Sequence, residues 1–288
     1  FYTERRKKLF PPRDAYFFIP NDFQIIEINS KKPEKSLRRI FEGNTKFNTY
    51  EKKMLKELYL LIEKKNKENK SKTIEISLMK ECDILRLLQA TCFNCKKTID
   101  LIIDHLIWKK EKTLKFPLHN SVIEILQAGF IYVHGRDCNY RPILVVNANV
   151  YLRIYNKYSF DHWENFIIFF MKFLIENLVI PGQVENWSII TDVRGASIMT
   201  LPGDFKKLMK VLSSNYRCRL FKNYIFGMSS FLKFVWGFIQ NFLDETARAK
   251  INFINESNIN DVFIYINKSQ IEKKYGGNCE NKDKDCFP

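Results

Sequence analysis

Between Gly129 and Asn255 the chain alternates between two hydrophobic periods, and this limits its possible folds more than any other feature. Phe130–His134, Ile143–Asn147, Trp187–Val193, Leu220–Gly227 and Lys250–Asn255 are short runs rich in β-branched and aromatic residues. Between them lie stretches with helical spacing, one beginning at Asp161 with Glu164 three residues on and continuing to about Asn177, another from Pro202 to about Ser213. Strands separated by helical segments predict an α/β fold with a mainly parallel sheet, because a parallel neighbour is reached only by a crossover. The turn at Arg136–Arg141 is the one short link between strands.

The residues before Gly129 read differently. Met54, Leu55, Leu58, Leu61 and Ile62 recur with a period near 3.6, and the pattern dissolves into the polar run Lys64–Lys72, expected to be a loop. A second helical block covers Ser77–Lys110, with Leu85, Leu88, Ile99, Ile102, Ile103 and Leu106 on one face and a break expected at Phe93-Asn94. Ser121-Val-Ile-Glu124 has the form of a capping box and Gly129 that of a helix stop. Phe1–Gly43 mixes four prolines with basic clusters and shows no sustained period. The expected division is a basic arm over 1–44, a helical lobe over 45–116, an α/β lobe over 117–278 and a polar tail over 279–288.

One stretch stands apart. Phe231–Leu243 carries nine large apolar side chains in thirteen positions. A membrane span, a core helix and the wall of an apolar cavity all require such a segment. As a helix, Ser230–Leu243 would be about 21 Å long at 1.5 Å per residue, while a span needs roughly 20 apolar residues to cross 30 Å. Length therefore disfavours the span. A surface core helix should carry a broad polar face. Here Lys233, Gly237, Gln240, Asn241 and Asp244 form one narrow stripe, so the helix needs apolar surroundings on more than one side. A large core and a cavity wall both satisfy that.

Charge and cysteine narrow the function classes. The net charge is +15, and residues 1–72 hold 19 Lys and Arg against 10 Asp and Glu. The excess suits a solvated basic face or attraction to an anionic surface. No zinc-finger, RNP-type or Gly-rich phosphate motif accompanies it, and the aromatics lie mostly in apolar runs, so nucleic acid is not the expected partner. Seven cysteines, an odd number without a regular framework, predict reduced thiols and a cytoplasmic setting. The single pair Cys92 and Cys95 lacks a second pair at zinc spacing, so no metal and no cofactor are expected. His105, His119, His134 and His162 are dispersed and suggest no catalytic base; the chain is not expected to be an enzyme. It begins at Phe1, as a trimmed sequence would, and Phe1–Phe10 is too basic for a signal peptide.

Six motifs in order resemble one family. Asp83-Ile-Leu-Arg86-Leu-Leu-Gln-Ala-Thr-Cys-Phe93-Asn94 is similar to the "LLRFLRArkFd" helix of the CRAL-TRIO lipid-binding family, the group that includes the phosphatidylinositol/phosphatidylcholine transfer proteins. Gly135-Arg-Asp137-Cys-Asn-Tyr-Arg141-Pro142 resembles its "GrDkdGRPv" hairpin, and Asp192-Val-Arg-Gly195-Ala-Ser197 its "DlkGis" strand end. Tyr216-Arg-Cys-Arg219-Leu resembles "YPeRl", Phe242-Leu-Asp-Glu-Thr-Ala-Arg-Ala-Lys250-Ile251 resembles "fLdp.T..KI", and Tyr275-Gly-Gly277 the terminal "fGG". Together they cover about residues 78–278.

The resemblance implies a helical lobe beside an α/β lobe whose sheet floors an apolar lipid pocket, closed by a mobile helical gate. The gate would fall on Phe231, Phe234, Val235, Trp236, Phe238, Ile239, Phe242 and Leu243. Enclosure matters because each methylene buried from water is favoured by about 0.8 kcal/mol. The implied function is exchange of a phospholipid, phosphatidylinositol or phosphatidylcholine favoured, between membranes, by a monomer in peripheral contact with anionic surfaces. A membrane-recruitment domain of a larger protein, or a carrier of a sterol or isoprenoid, is the alternative.

Headgroup residues carry over in part. Lys250 matches the family's lysine in the strand after the gate, and Arg141 is expected to lock the hairpin. Cys218 stands where the family has a glutamate, and Thr91 and Cys92 replace a basic pair. Trp187 and Ile189 occupy the positions of a serine and threonine that hold choline, and Tyr132 could supply the hairpin-strand tyrosine.

Overall fold

The computed structural model describes residues 9–29, 36–69, 73–112, 117–196, 203–227, 234, 236–237, 240–243 and 245–282. Its helical lobe is built from α1 (Thr49–Glu68), α2 (Glu81–Ala90) and α3 (Cys95–Glu111). Asn48 caps α1, its side chain accepting from the Glu51 amide at 2.8 Å while the Glu51 carboxylate accepts from the Asn48 amide at 2.8 Å. Met54, Leu55, Leu58 and Ile62 face α2 and α3 across one apolar core.

The helix does not stop at Lys64. It continues to Glu68, its exposed final turns carrying the i,i+4 pairs Lys67–Glu63 at 2.6 Å and Lys64–Glu68 at 4.0 Å. The break between α2 and α3 falls where expected. Cys92 and Phe93 both adopt positive φ, at 52° and 60°, and Asn94 caps α3 by accepting from the Lys97 amide.

Helix α4 (Asn120–Gln127) corrects the reading of its start. Its cap is His119, whose Nδ1 accepts from the Ser121 amide at 3.2 Å, so Ser121 lies inside the helix. Glu124 is engaged elsewhere, its carboxylate accepting from the Tyr158 hydroxyl at 2.9 Å. Gly129, at φ 73°, lies just past the end of this helix.

The sheet has five strands in sequence order: β1 (Ile131–Arg136), β2 (Pro142–Asn147), β3 (Trp187–Asp192), β4 (Leu220–Phe226) and β5 (Ile251–Ile254). The β1–β2 pair is antiparallel and the other three pairings are parallel. Three further helices serve the crossovers: α5 (Ala148–Ile154), α6 (Phe160–Phe173) and α7 (Phe205–Asn215). Alternation sorts the strand residues onto two faces. Leu144, Trp187, Ile189, Ile225, Ile251 and Phe253 join the core built with α4 to α7. Tyr132, Ile143, Val145, Ile190, Tyr224 and Ile254 face Val262, Ile266, Ile271 and Tyr275 of the C-terminal segment.

Residues 36–42 and the two lobes meet at Glu185, whose side chain is 1% exposed. Its carboxylate accepts from the backbone amides of Phe41, Glu42 and Gly182 at 2.8 to 3.0 Å and from the Arg86 guanidinium of α2. Glu42 in turn pairs with Arg86 at 3.1 Å and Arg219 at 3.3 Å. Gly43 and Gly182 let the two backbones touch there, since a Cβ on Gly43 would sit 2.8 Å from the Gly182 Cα. No helix among the described residues is long and apolar enough to cross a membrane.

Candidate functional site

The two faces of the sheet are covered unequally, and this difference locates the site. On the face toward the C-terminal segment, Ser188, Ile190, Tyr224 and Ile254 are sealed, none more than 2% exposed. On the other face of the same strands, Ile189, Thr191, Asn223, Ile251 and Phe253 all stay partly accessible. Ile251 and Phe253 lie on the edge strand β5, and Leu144, Trp187 and Ile225 of the same face are buried, so the opening is confined to the β3–β5 side of this face. The accessible face is apolar apart from one pair, Thr191 and Asn223.

Trp236 approaches this face. The Trp236 ring meets Phe253 edge-on, with centroids 5.4 Å apart. Phe234 is exposed and Trp236 half-buried. Residues 234, 236 and 237 are helical, and Gln240–Phe242 form a 3-10 turn. Of the other residues expected in the gate, Phe231, Val235, Phe238 and Ile239 lie outside the described residues, as does the Phe242 side chain. Leu243 is described and half-buried.

Four of the expected headgroup residues gather at the start of the parallel strands. Trp187 begins β3, buried in the core of that face, and its amide donates to the Arg219 carbonyl at 2.9 Å. Ile189 follows two residues on and pairs with Asn223, whose amide donates to the Lys250 carbonyl at 2.9 Å. Lys250 itself sits in the turn before β5, partly exposed. Cys218 adopts φ 60° and turns inward to the lobe junction: its thiol accepts from Gln89 Nε2 at 3.3 Å and lies 3.5 Å from the Arg86 carbonyl.

Tyr132 does not join them. It lies on the sealed face, and its hydroxyl donates to the buried Glu272 carboxylate at 2.7 Å, with Lys274 Nζ 3.3 Å away. Tyr132 pairs with Val145 across the β1–β2 ladder and so shares its face.

The motif residues act as braces. Arg141 bonds Asp137 at 3.0 Å across the hairpin tip and covers the Phe221 ring. Asp192 receives three bonds from Arg194, two from its guanidinium at 2.7 and 2.9 Å and one from its backbone amide at 3.0 Å, and one from the Tyr275 hydroxyl at 3.2 Å, tying the strand end to the terminal glycine motif. Burial alone would raise the Asp192 carboxyl, but the Arg194 and Tyr275 bonds outweigh it and hold it below the usual range. Two histidines that are distant in sequence come together: His119 and His162 stack with ring centroids 4.6 Å apart. Among the described residues there is no group of three or more His, Cys, Asp or Glu arranged to hold a metal.

A family model for the CRAL/TRIO domain matches residues 126–277, more than half of the chain. The chain belongs to the CRAL/TRIO family. Among curated proteins it is 24% identical over 215 residues to the phosphatidylinositol/phosphatidylcholine transfer protein SFH9 of Arabidopsis thaliana, covering 68% of this chain and 37% of that protein. The Sec14 cytosolic factor of Schizosaccharomyces pombe is 22% identical over 215 residues, covering 69% of this chain and 75% of that protein. The chain thus spans little more than a third of its plant relative. The crystal structure of Sfh5 superposes with a TM-score of 0.57 at 16% identity, covering 81% of this chain and 89% of that one, which establishes the shared fold.

Proposed function

We propose that this CRAL/TRIO chain binds a phospholipid on the half-covered sheet face and carries it between membranes beneath a gate that includes Phe234 and Trp236. The unequal covering of the sheet supports this most directly: Ile189, Ile251 and Phe253 remain accessible while Ile190, Tyr224 and Ile254 on the reverse side are closed. An apolar surface left open inside a fold is favoured only when an apolar ligand shields it from water. The similarity to phosphatidylinositol/phosphatidylcholine transfer proteins supports a phospholipid as that ligand.

Binding and release need no bond-making step. The protein's part is to replace the bilayer around the acyl chains and to reach a membrane surface. Basic residues of the N-terminal 72 positions supply attraction to anionic headgroups, about 1 kcal/mol for each well-placed Lys or Arg. Phe17 and Phe23, 70% and 78% exposed, offer apolar contact in the same part of the chain. In this reading the chain works as a monomer, peripherally, at cytoplasmic membranes.

In this reading Lys250, partly exposed in the turn before β5, contacts the lipid phosphate. Ile189 supplies apolar surface on the half-covered face, while Trp187 is buried in the core of that face. Tyr132 is committed to Glu272 on the sealed face and is not proposed as a headgroup contact.

Mass spectrometry of lipid co-purifying with the protein identifies the cargo. Transfer of labelled phospholipid between vesicles tests the carrier role. Phe234→Asp and Trp236→Asp, each placing a charge in the lid, are expected to reduce transfer at least tenfold; full transfer by both variants overturns the lid assignment.

A further inference from the structure

Asn223 is the residue on the half-covered face with no obvious reason to be there. Asparagine is depleted in strands, and this one occupies the centre of β4 between Ile189 on β3 and Ile251 on β5. Ile225 and Phe253 continue the apolar surface beside it. Thr191, two residues along from Ile189 on the same face, donates from Oγ1 to Asn223 Oδ1 at 2.8 Å. Both side chains are partly accessible. Among the described residues nothing bonds the Asn223 amide nitrogen.

The donor count is independent of how the amide is oriented. With Oδ1 toward Thr191, both amide hydrogens point away from the pair. With the amide turned over, one amide hydrogen and the threonine hydroxyl hydrogen remain. Either way two hydrogens have no acceptor among the described residues and point to the accessible part of an apolar face. A pair serving only strand-to-strand packing would be replaced without loss by two aliphatic residues.

We infer that Asn223, oriented by Thr191, donates a hydrogen bond to an oxygen on the otherwise hydrocarbon part of the ligand, and so selects ligands that carry such an oxygen. The chemistry is a neutral acceptor flanked by hydrocarbon: the ester carbonyl of an acylglycerol phospholipid, or the hydroxyl of a sterol. The inference rests on the carrier reading above and adds a specificity residue to it. Sites that hydrogen-bond a ligand oxygen reject the analogue lacking it, because their own polar groups are then left unpaired.

The test uses the whole chain and two matched probe pairs presented in neutral vesicles: dioleoyl phosphatidylcholine against its diether analogue, and cholesterol against 3-deoxycholesterol. The protein is re-isolated and retained ligand is measured by mass spectrometry. One net hydrogen bond predicts that the wild type prefers the oxygen-bearing member of one pair by about three- to tenfold. The pair that discriminates names the source of the oxygen.

Asn223→Leu with Thr191→Val should abolish the preference by raising retention of the oxygen-poor analogue, and keep or raise the thermal midpoint. Asn223→Asp keeps the shape and removes the donors, so it should abolish the preference even if the double variant folds poorly. Equal retention of both members of both pairs by the wild type, or a preference that survives Asn223→Asp, overturns the inference while leaving the carrier reading intact. If no member of either pair is retained, the carrier reading falls and this inference with it.

Discussion

Glu185 shows how much one side chain can organise. Three backbone amides and Arg86 converge on its carboxylate, and the residue is almost fully buried. Glu185→Ala would leave Arg86 buried without its main partner, and removing one member of a buried pair typically costs about 3–5 kcal/mol. A large fall in the urea midpoint with an unchanged slope is expected; a midpoint within experimental error of wild type would contradict the role. Lys250 tests a different link, from residue to ligand. Lys250→Ala should lower retention of inositol phospholipid from vesicles while leaving the thermal midpoint in place, and unchanged retention would remove Lys250 from the headgroup site. Neither Glu185 nor Asn223 was legible as a functional position in the sequence, because each belongs to no motif and gains its meaning from partners on other elements.

At the scale of elements, the strands and most helices follow from local pattern. The five apolar runs become β1 to β5, and the break before Asn94 becomes the turn between α2 and α3. Structure and local pattern differ at helix ends, where weak local terms decide. Helix α1 runs on past Lys64 with two ion pairs on its exposed final turns, and His119 takes the capping role that Ser121 was expected to fill. The terminal glycine motif is decided by tertiary contact: a Cβ on Gly277 would lie 2.0 Å from the Ile271 carbonyl oxygen. Gly277→Ala must therefore push apart the segment that seals one sheet face. Its expected signature is a lower thermal midpoint and faster hydrogen exchange at Tyr224 and Ile254; exchange equal to wild type would refute the close approach.

For the whole molecule, charge pairs join parts that the hydrophobic clusters keep separate. Burial alone would raise the Glu42 carboxyl, but Arg86 and Arg219 outweigh it and hold it below the usual carboxylate range. Asp192 is held down in the same way at the opposite end of the sheet. A carboxyl whose pKa is depressed on folding adds stability that is complete above its unfolded value, near 4, and is lost as pH falls through the folded value. Stability should therefore be nearly flat from pH 7 to about 5 and decline below about 4. A thermal midpoint that stayed constant down to pH 3 would show that these pairs contribute little.

The sequence by itself determined the α/β class, the order of strands and helices, and, through six motifs in family order, a resemblance that the family model bears out. These are local or linear properties: a period of 2 or 3.6, a turn residue, a spacing. Only the tertiary structure decided that Tyr132 faces away from the candidate site, that Glu185 joins the arm to both lobes, and that Thr191 and Asn223 meet on an open apolar face. Each of those depends on which strand lies beside which and on what covers each face. Burial is a property of the assembled sheet, and no single strand carries it.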